Sequence, residues 1–326
     1  MKRFIIITLV LAIVSGTAFA RGAGQAAGDV ANYPTRPVQI IIPWGAGGGT
    51  DVLARMIMRD LDLGGQSTVA INIPGASGFI GTMDLANRPA DGYNIMLHDI
   101  PNLLAYTLSG QTSRRLFEEL IPICVIAGDY HIVSTNSQSG IRNVQELVAF
   151  VRANPGQIRW GTTGIMTPNA VNSMWITEDL GIDGLVTLVP YDSGADARVA
   201  LLGNHVQVLT GAIGDVRPFI DSGEVIPLMV ISDQRIGALP NTPTTLESGA
   251  GATHFIARTF FAPRGTPPQV ISFLENAFRR VAEDPAFQAD VQQTLGADVR
   301  FIGAAETQRF IREWYTELEP RFARIR

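Results

Sequence analysis

Two short loops carry the residue types best suited to binding chemistry. Gly45-Ala46-Gly47-Gly48-Gly49 follows one apolar run and Pro74-Gly75-Ala76-Ser77-Gly78 follows another. Glycine lets backbone amides approach a ligand closely, and a helix starting directly after such a loop adds partial positive charge. Each loop therefore suits an anionic oxygen of a carboxylate or phosphate. Neither contains arginine; Arg55 and Arg59 fall within the segment after the first loop, which leaves amides and water to hold the anion. The same glycines would also serve plain strand-to-helix turns.

Other chemistries find less support. The dinucleotide pattern G-x-G-x-x-G fails because Thr50 stands three residues after Gly47, and no Gly-Lys pair exists for a phosphate loop. Gly75-Ala76-Ser77-Gly78 is one residue short of a nucleophile elbow, so Ser77 reads as a loop hydroxyl or amide donor. His98, His131, His205 and His254 are scattered and none forms H-E-x-x-H, so neither a metal nor a cofactor is implied. His98-Asp99, ending an apolar strand, is either a ligand contact in a cleft or an exposed polar pair. Trp44 is either a core aromatic or a cleft wall, and Tyr191-Asp192 either reaches across a cleft or makes a turn. Asp51 either caps a helix or meets an amino group on a ligand. Cys124, alone in an apolar run, reads as a buried small residue.

The elements that must position these loops follow from periodicity. Val38 to Pro43 is a β-branched run, and after the first glycine loop Val52, Leu53, Met56, Ile57 and Leu61 recur at helical spacing. Thr68 to Ile73, a loop, and a helix over Phe79 to Asn87 repeat the pattern, and Tyr93 to Leu97 is a third strand. Strands alternating with helices predict a parallel sheet with right-handed crossovers. From about residue 123 the same grammar restarts: apolar runs at Ile123 to Ala127 and Ile132-Val133, then a helix from Val144 to Ala153 opened by Asn143 and Glu146 at capping-box spacing. Further strand-loop units end at Thr162-Thr163, at Tyr191-Asp192 and at Thr210-Gly211, and Val225 to Ile231 is another strand. Helical patterns at Gln269 to Val281 and Ala305 to Phe322 are expected to pack on the first unit.

At 326 residues the chain is long for one core, and 46% apolar with 17% charged residues excludes a disordered chain and a multi-span membrane protein. Thirty acidic against 25 basic residues, with no basic cluster, argues against a nucleic-acid partner. Lys2 and Arg3, the apolar stretch Phe4 to Val14 and the triplet Ala18-Phe19-Ala20 form a secretory signal, with cleavage expected after Ala20 and a periplasmic destination.

The chain resembles a known family through an ordered set of motifs. These are Tyr33-Pro34-Thr35-Arg36-Pro37, PWGAGGGTD from Pro43 to Asp51, NIPGASGFIG from Asn72 to Gly81, and Pro89-Ala90-Asp91-Gly92-Tyr93. Further along come Asn154-Pro155-Gly156, Val189-Pro190-Tyr191, Leu239-Pro240-Asn241-Thr242-Pro243-Thr244 and Ala262-Pro263-Arg264-Gly265-Thr266-Pro267. The set is similar to the receptors of tripartite tricarboxylate transporters, the Bug-type or TctC-type periplasmic solute-binding proteins. The resemblance implies a two-lobed Venus-flytrap α/β fold, each lobe a mostly parallel sheet flanked by helices. It implies residues 21–126 with 254–326 in one lobe and 127–253 in the other, after a signal peptide at 1–20. It further implies a monomer without catalytic activity that delivers a small carboxylate to a membrane permease. Trp44, Ala46, Gly47, Gly48 and Asp51, with Gly75, Ala76, Ser77 and Gly78, would hold one ligand carboxylate through amides and ordered waters. Thr162, Thr163, Asn169, Tyr191, Asp192 and Gly211 would recognise the distal end. The chain departs from the family at Gly164 to Ala170, where a Gly/Ser-rich loop leading to a histidine is usual, and at Thr210-Gly211, where an aromatic-Asp pair is common; Ile165 and Met166 point to a less polar acid. An exported hydrolase acting through Ser77 or His98, and a sensory module for a membrane partner, are the competing readings.

Overall fold

The computed structural model describes residues 32–164, 167–251 and 256–323. The signal segment and its cleavage site, Ile165, Met166 and His254 lie outside the described residues.

The first loops sit where periodicity puts them. β1 (Val38–Ile42) leads into α1 (Gly49–Asp60), β2 (Thr68–Asn72) into α2 (Phe79–Ala86), and β3 (Asn94–Asp99) into α3 (Ile100–Leu108). A short α4 (Leu116–Glu119) precedes β4 (Leu120–Asp129). After Tyr130 come β5 (His131–Asn136), α5 (Val144–Ala153), β6 (Ile158–Thr163), α6 (Pro168–Asp179), β7 (Val186–Tyr191), α7 (Gly194–Leu202), β8 (Val208–Ala212), α8 (Ile213–Asp221) and β9 (Val225–Val230). The chain closes with β10 (Ile256–Pro263), α9 (Pro268–Ala282), α10 (Pro285–Leu295), β11 (Asp298–Gly303) and α11 (Ala304–Phe322). α5 begins as its spacing requires: Asn143 Oδ1 accepts from Glu146 N at 2.8 Å, while Glu146 Oε2 accepts from Arg142 N at 2.7 Å.

Two sheets result, six-stranded in the order β11-β4-β10-β3-β1-β2 and five-stranded in the order β7-β6-β8-β5-β9. They are mixed, where mostly parallel sheets were expected. β1 pairs parallel with β2 and β3, and β6 pairs parallel with β7 and β8, but β10 runs antiparallel to both β3 and β4, and β5 antiparallel to β8 and β9. The antiparallel pairs arise where the chain changes lobe. β4 carries it out of the first sheet and β10 brings it back, so the two lie side by side in opposite senses. β4 stays in the first sheet up to Asp129, beyond the boundary expected after residue 126. Ile123 to Ala127 thus belongs to the first sheet and does not begin the second.

Helices cover both sheets. α9 buries Val270, Ile271, Leu274, Ala277, Phe278 and Val281, with Phe278 stacked on Phe260 of β10 at 3.9 Å between ring centroids. Cys124 lies in this core, and burial pushes its thiol well up, as befits an inert apolar residue.

Candidate functional site

A cleft of about 740 Å³ opens between the lobes at the carboxyl ends of their parallel strands, a volume within the usual range for small-molecule sites. Trp44, Ala46, Gly47, Gly48, Gly75, Ala76, Ser77 and Gly78 line it from the first lobe, and Thr163, Asn169, Tyr191 and Asp192 from the second. Asp51, His98, Thr162 and Gly211 do not reach it.

Asp51 is 3% exposed and does not line the cleft. Its Oδ2 accepts from Gly47 N at 2.9 Å and Arg55 Nε at 3.0 Å, and its Oδ1 accepts from Asn72 Nδ2 at 3.0 Å. Burial works against the charge, but these donors hold the carboxyl below the ordinary range. Asp51 neither caps α1 nor faces a ligand; it ties the loop down from behind and occupies the Gly47 amide in doing so. Gly48 is the N-cap of α1, and among the described residues no side chain caps that end. Gly49 and Thr50, which open the helix, line the cleft.

The second loop is held in an unusual backbone. Ala76 and Ser77 have φ of 46° and 55°, and Gly75 and Gly78 have φ of 133° and 90°. Left-handed non-glycine residues cost about 1–3 kcal/mol each, so the surroundings must impose them. A buried chain of hydrogen bonds does so. Asp99 N donates to His98 Nδ1 at 2.7 Å, which leaves Nε2 to carry the imidazole proton and donate to Tyr106 Oη at 2.9 Å. Tyr106 Oη then donates to Ser77 O at 2.8 Å, and burial pushes the phenol pKa well up, keeping it a donor. His98, fully buried, is thus a support for the loop and no ligand contact. Trp44 combines both of its expected roles, lining the cleft while its ring meets His98 edge-on at 5.9 Å. Tyr106→Phe removes the hydroxyl without touching the cleft. It is expected to cost about 1–3 kcal/mol in urea unfolding, because Ser77 O and His98 Nε2 lose their partner. It should also weaken ligand binding about tenfold by calorimetry as the loop relaxes.

On the second lobe, Thr162 is buried with its hydroxyl on Gly164 O at 3.1 Å, shaping the turn. Gly211 is buried within β8, and its neighbour Ala212 reaches the cleft in its place. Asn169 Nδ2 donates to Thr163 Oγ1.

The charged floor was not expected. Arg258, 8% exposed in β10, donates to Thr50 Oγ1 at 2.8 Å and to Asp129 Oδ2 at 3.0 Å, and lies 3.9 Å from Asp99 Oδ2. Burial raises the Asp129 carboxyl despite that partner and lowers His131 to about 3, so the imidazole is neutral. Asp215, in the first turn of α8, is pushed up to about 6, first by burial and then by the Asp129 charge, against the opposing pull of Arg258 and Arg198. The only sequence signal for this group was a lone charged residue, Arg258, in the run Ile256 to Phe261.

Two α/β lobes, joined where β4 passes to β5 and where β10 returns, with an amide-lined cleft between them, define a two-lobed solute-binding protein. Residues 53–320 match the tripartite tricarboxylate transporter family receptor. Protein BugT of Bordetella pertussis (strain Tohama I) is 32% identical over 290 residues, covering 86% of each chain. Among solved structures, the periplasmic binding protein BugD is 29% identical, covers 90% of this chain and 97% of its own, and superposes with a TM-score of 0.79. R. palustris Rpa4515 with adipate is 26% identical, with coverage of 89% and 97% and a TM-score of 0.82. The chain belongs to the tripartite tricarboxylate transporter receptor family.

Proposed function

We propose that this chain is a periplasmic receptor that captures a small organic acid by its carboxylate in the interlobe cleft and hands it to the membrane components of a tripartite tricarboxylate transporter. The observation that carries this reading is the pair of first-lobe loops. Each leads into a helix whose N-terminus has no side-chain cap among the described residues, and each includes left-handed backbone. Uncapped helix N-termini lined by small residues are anion sites. The adipate bound to the R. palustris protein supports an organic acid as the ligand class. Export with cleavage after Ala20, lobes that open and close on the ligand, and a monomeric shuttle belong to the same reading. Hydrolysis through Ser77 finds little support, since both ring nitrogens of His98 are engaged in supporting the loop and His131, lowered by burial to about 3, is a poor base.

Protein purified under native conditions is expected to retain a stoichiometric small acid, identified by mass spectrometry. A calorimetric panel of carboxylates should then show saturable binding without turnover. Indifference to every carboxylate, or conversion of one, would overturn the reading.

A further inference from the structure

The unmet hydrogen-bonding groups of the cleft differ between the lobes. On the first lobe they are donors: the uncapped starts of α1 and α2, and Trp44 Nε1, buried without a partner among the described residues. On the second lobe two of the three helix starts at the cleft are already supplied, while α8 has no side-chain cap among the described residues and carries the negative charge of Asp215 beside its amides. Thr167 caps α6, Ser193 caps α7 with Asp196 in its first turn, and Asp215 sits in the first turn of α8. Two side-chain acceptors stand out on that wall. Asn169, 7% exposed, has a buried Oδ1 without a partner among the described residues. The Asp215 carboxylate packs against the Cα face of Gly194 and accepts no hydrogen bond from the described residues. Arg198, the cation of this wall, donates instead to the backbone oxygen of Asp215 at 2.9 Å. Arg258 is spoken for by Asp129 and Asp99. Asn102 Oδ1, an unmet acceptor at the foot of the first lobe, is the exception.

A second ligand carboxylate at the distal wall would face Asp215 and Asn169 Oδ1, and would reach the uncapped start of α8 only past the Asp215 carboxylate. An ammonium would meet two acceptors and relieve the repulsion between Asp215 and Asp129. Resting on the carboxylate-receptor reading above, we propose that the distal wall selects a cationic hydrogen-bond donor, so that the preferred ligand is an amino-carboxylate and not a dicarboxylate. The raised Asp215 carboxyl fits this assignment, because the charges facing it, Asp129 from β4, Arg258 from β10 and Arg198 from α7, leave it without full compensation.

Calorimetry tests this with matched sets of ω-amino acids, dicarboxylates and monocarboxylates at several chain lengths, on the wild type and on Asp215→Asn. The wild type is expected to bind the best amino acid about tenfold or more tightly than its dicarboxylate counterpart, and Asp215→Asn to lose that preference. Thermal melting checks that the variant folds. The amino-acid affinity should also fall from pH 7.5 to pH 5 as Asp215 takes up a proton, whereas a dicarboxylate's would rise. A wild type that prefers dicarboxylates, or an Asp215→Asn variant with unchanged preference, overturns the proposal while leaving the receptor reading standing. Failure of all three ligand classes to bind overturns both.

Discussion

Arg258→Leu is expected to destabilise the protein by about 3–5 kcal/mol in urea unfolding, because it strips the counter-charge from a buried carboxylate. Arg258 and Asp129 are both under 10% exposed and meet at 3.0 Å, so neither is screened by solvent. Burial already raises Asp129, and loss of the guanidinium raises it further. A carboxyl raised on folding binds a proton that the unfolded chain has released, so its cost is full above the folded pKa and shrinks as pH falls toward the unfolded value. The deficit of Arg258→Leu should therefore be larger at pH 8 than at pH 5. Adding Asp129→Asn should recover about 1–3 kcal/mol, since the stranded charge is then gone. Equal deficits at both pH values would show that Arg258 acts through packing alone.

Gly78→Val should abolish ligand retention. At φ of 90° any side chain is strained, and a Cβ there would stand 2.9 Å from Tyr106 Oη, 3.2 Å from Trp44 Cζ2 and 3.4 Å from His98 Nε2. Those atoms belong to the side chains that hold the second loop or wall the cleft, so the clash displaces the amides presented to the ligand. Losing two such bonds to a carboxylate, at about 1.5–3 kcal/mol each, weakens binding about 100-fold or more. Strain and overpacking should together cost about 2–4 kcal/mol of stability. Gly47→Ala makes the contrast. Its φ of 80° is also left-handed, but nothing lies within 4 Å of the added Cβ, so only strain of about 1–2 kcal/mol is expected. Retention of ligand by Gly78→Val at the wild-type level would remove the second loop from the site.

Local pattern made much of this architecture legible. The β-branched run before Gly45, the 3.6-residue periodicity after Thr50 and the Asn143–Glu146 spacing each depend on neighbours a few residues apart, and each element appears where that pattern puts it. Polarity of pairing was not legible, because a strand buried on both faces is an apolar run whichever way its neighbours point. β4 and β10, lying side by side as the outgoing and returning strands, show this most plainly.

The site divides the same way. Glycine-rich loops at strand ends marked the first-lobe wall, since glycine carries a local backbone requirement. Which side of a loop a neighbouring polar residue takes carries no such mark. Asp51 stands beside the first loop in sequence and His98 ends the third strand, yet both support the loops, fixed by Asn72 and by Tyr106. The floor lay beyond local reading altogether: Arg258 meets Asp129 and Thr50 across 129 and 208 residues of chain. By itself the sequence determined the elements, the family and the loops able to present amides, because these follow from periodicity and backbone freedom. Only the tertiary structure decided the charge of the cleft, because burial and long-range pairing, not residue type, set which carboxylates are neutralised and which still face the ligand.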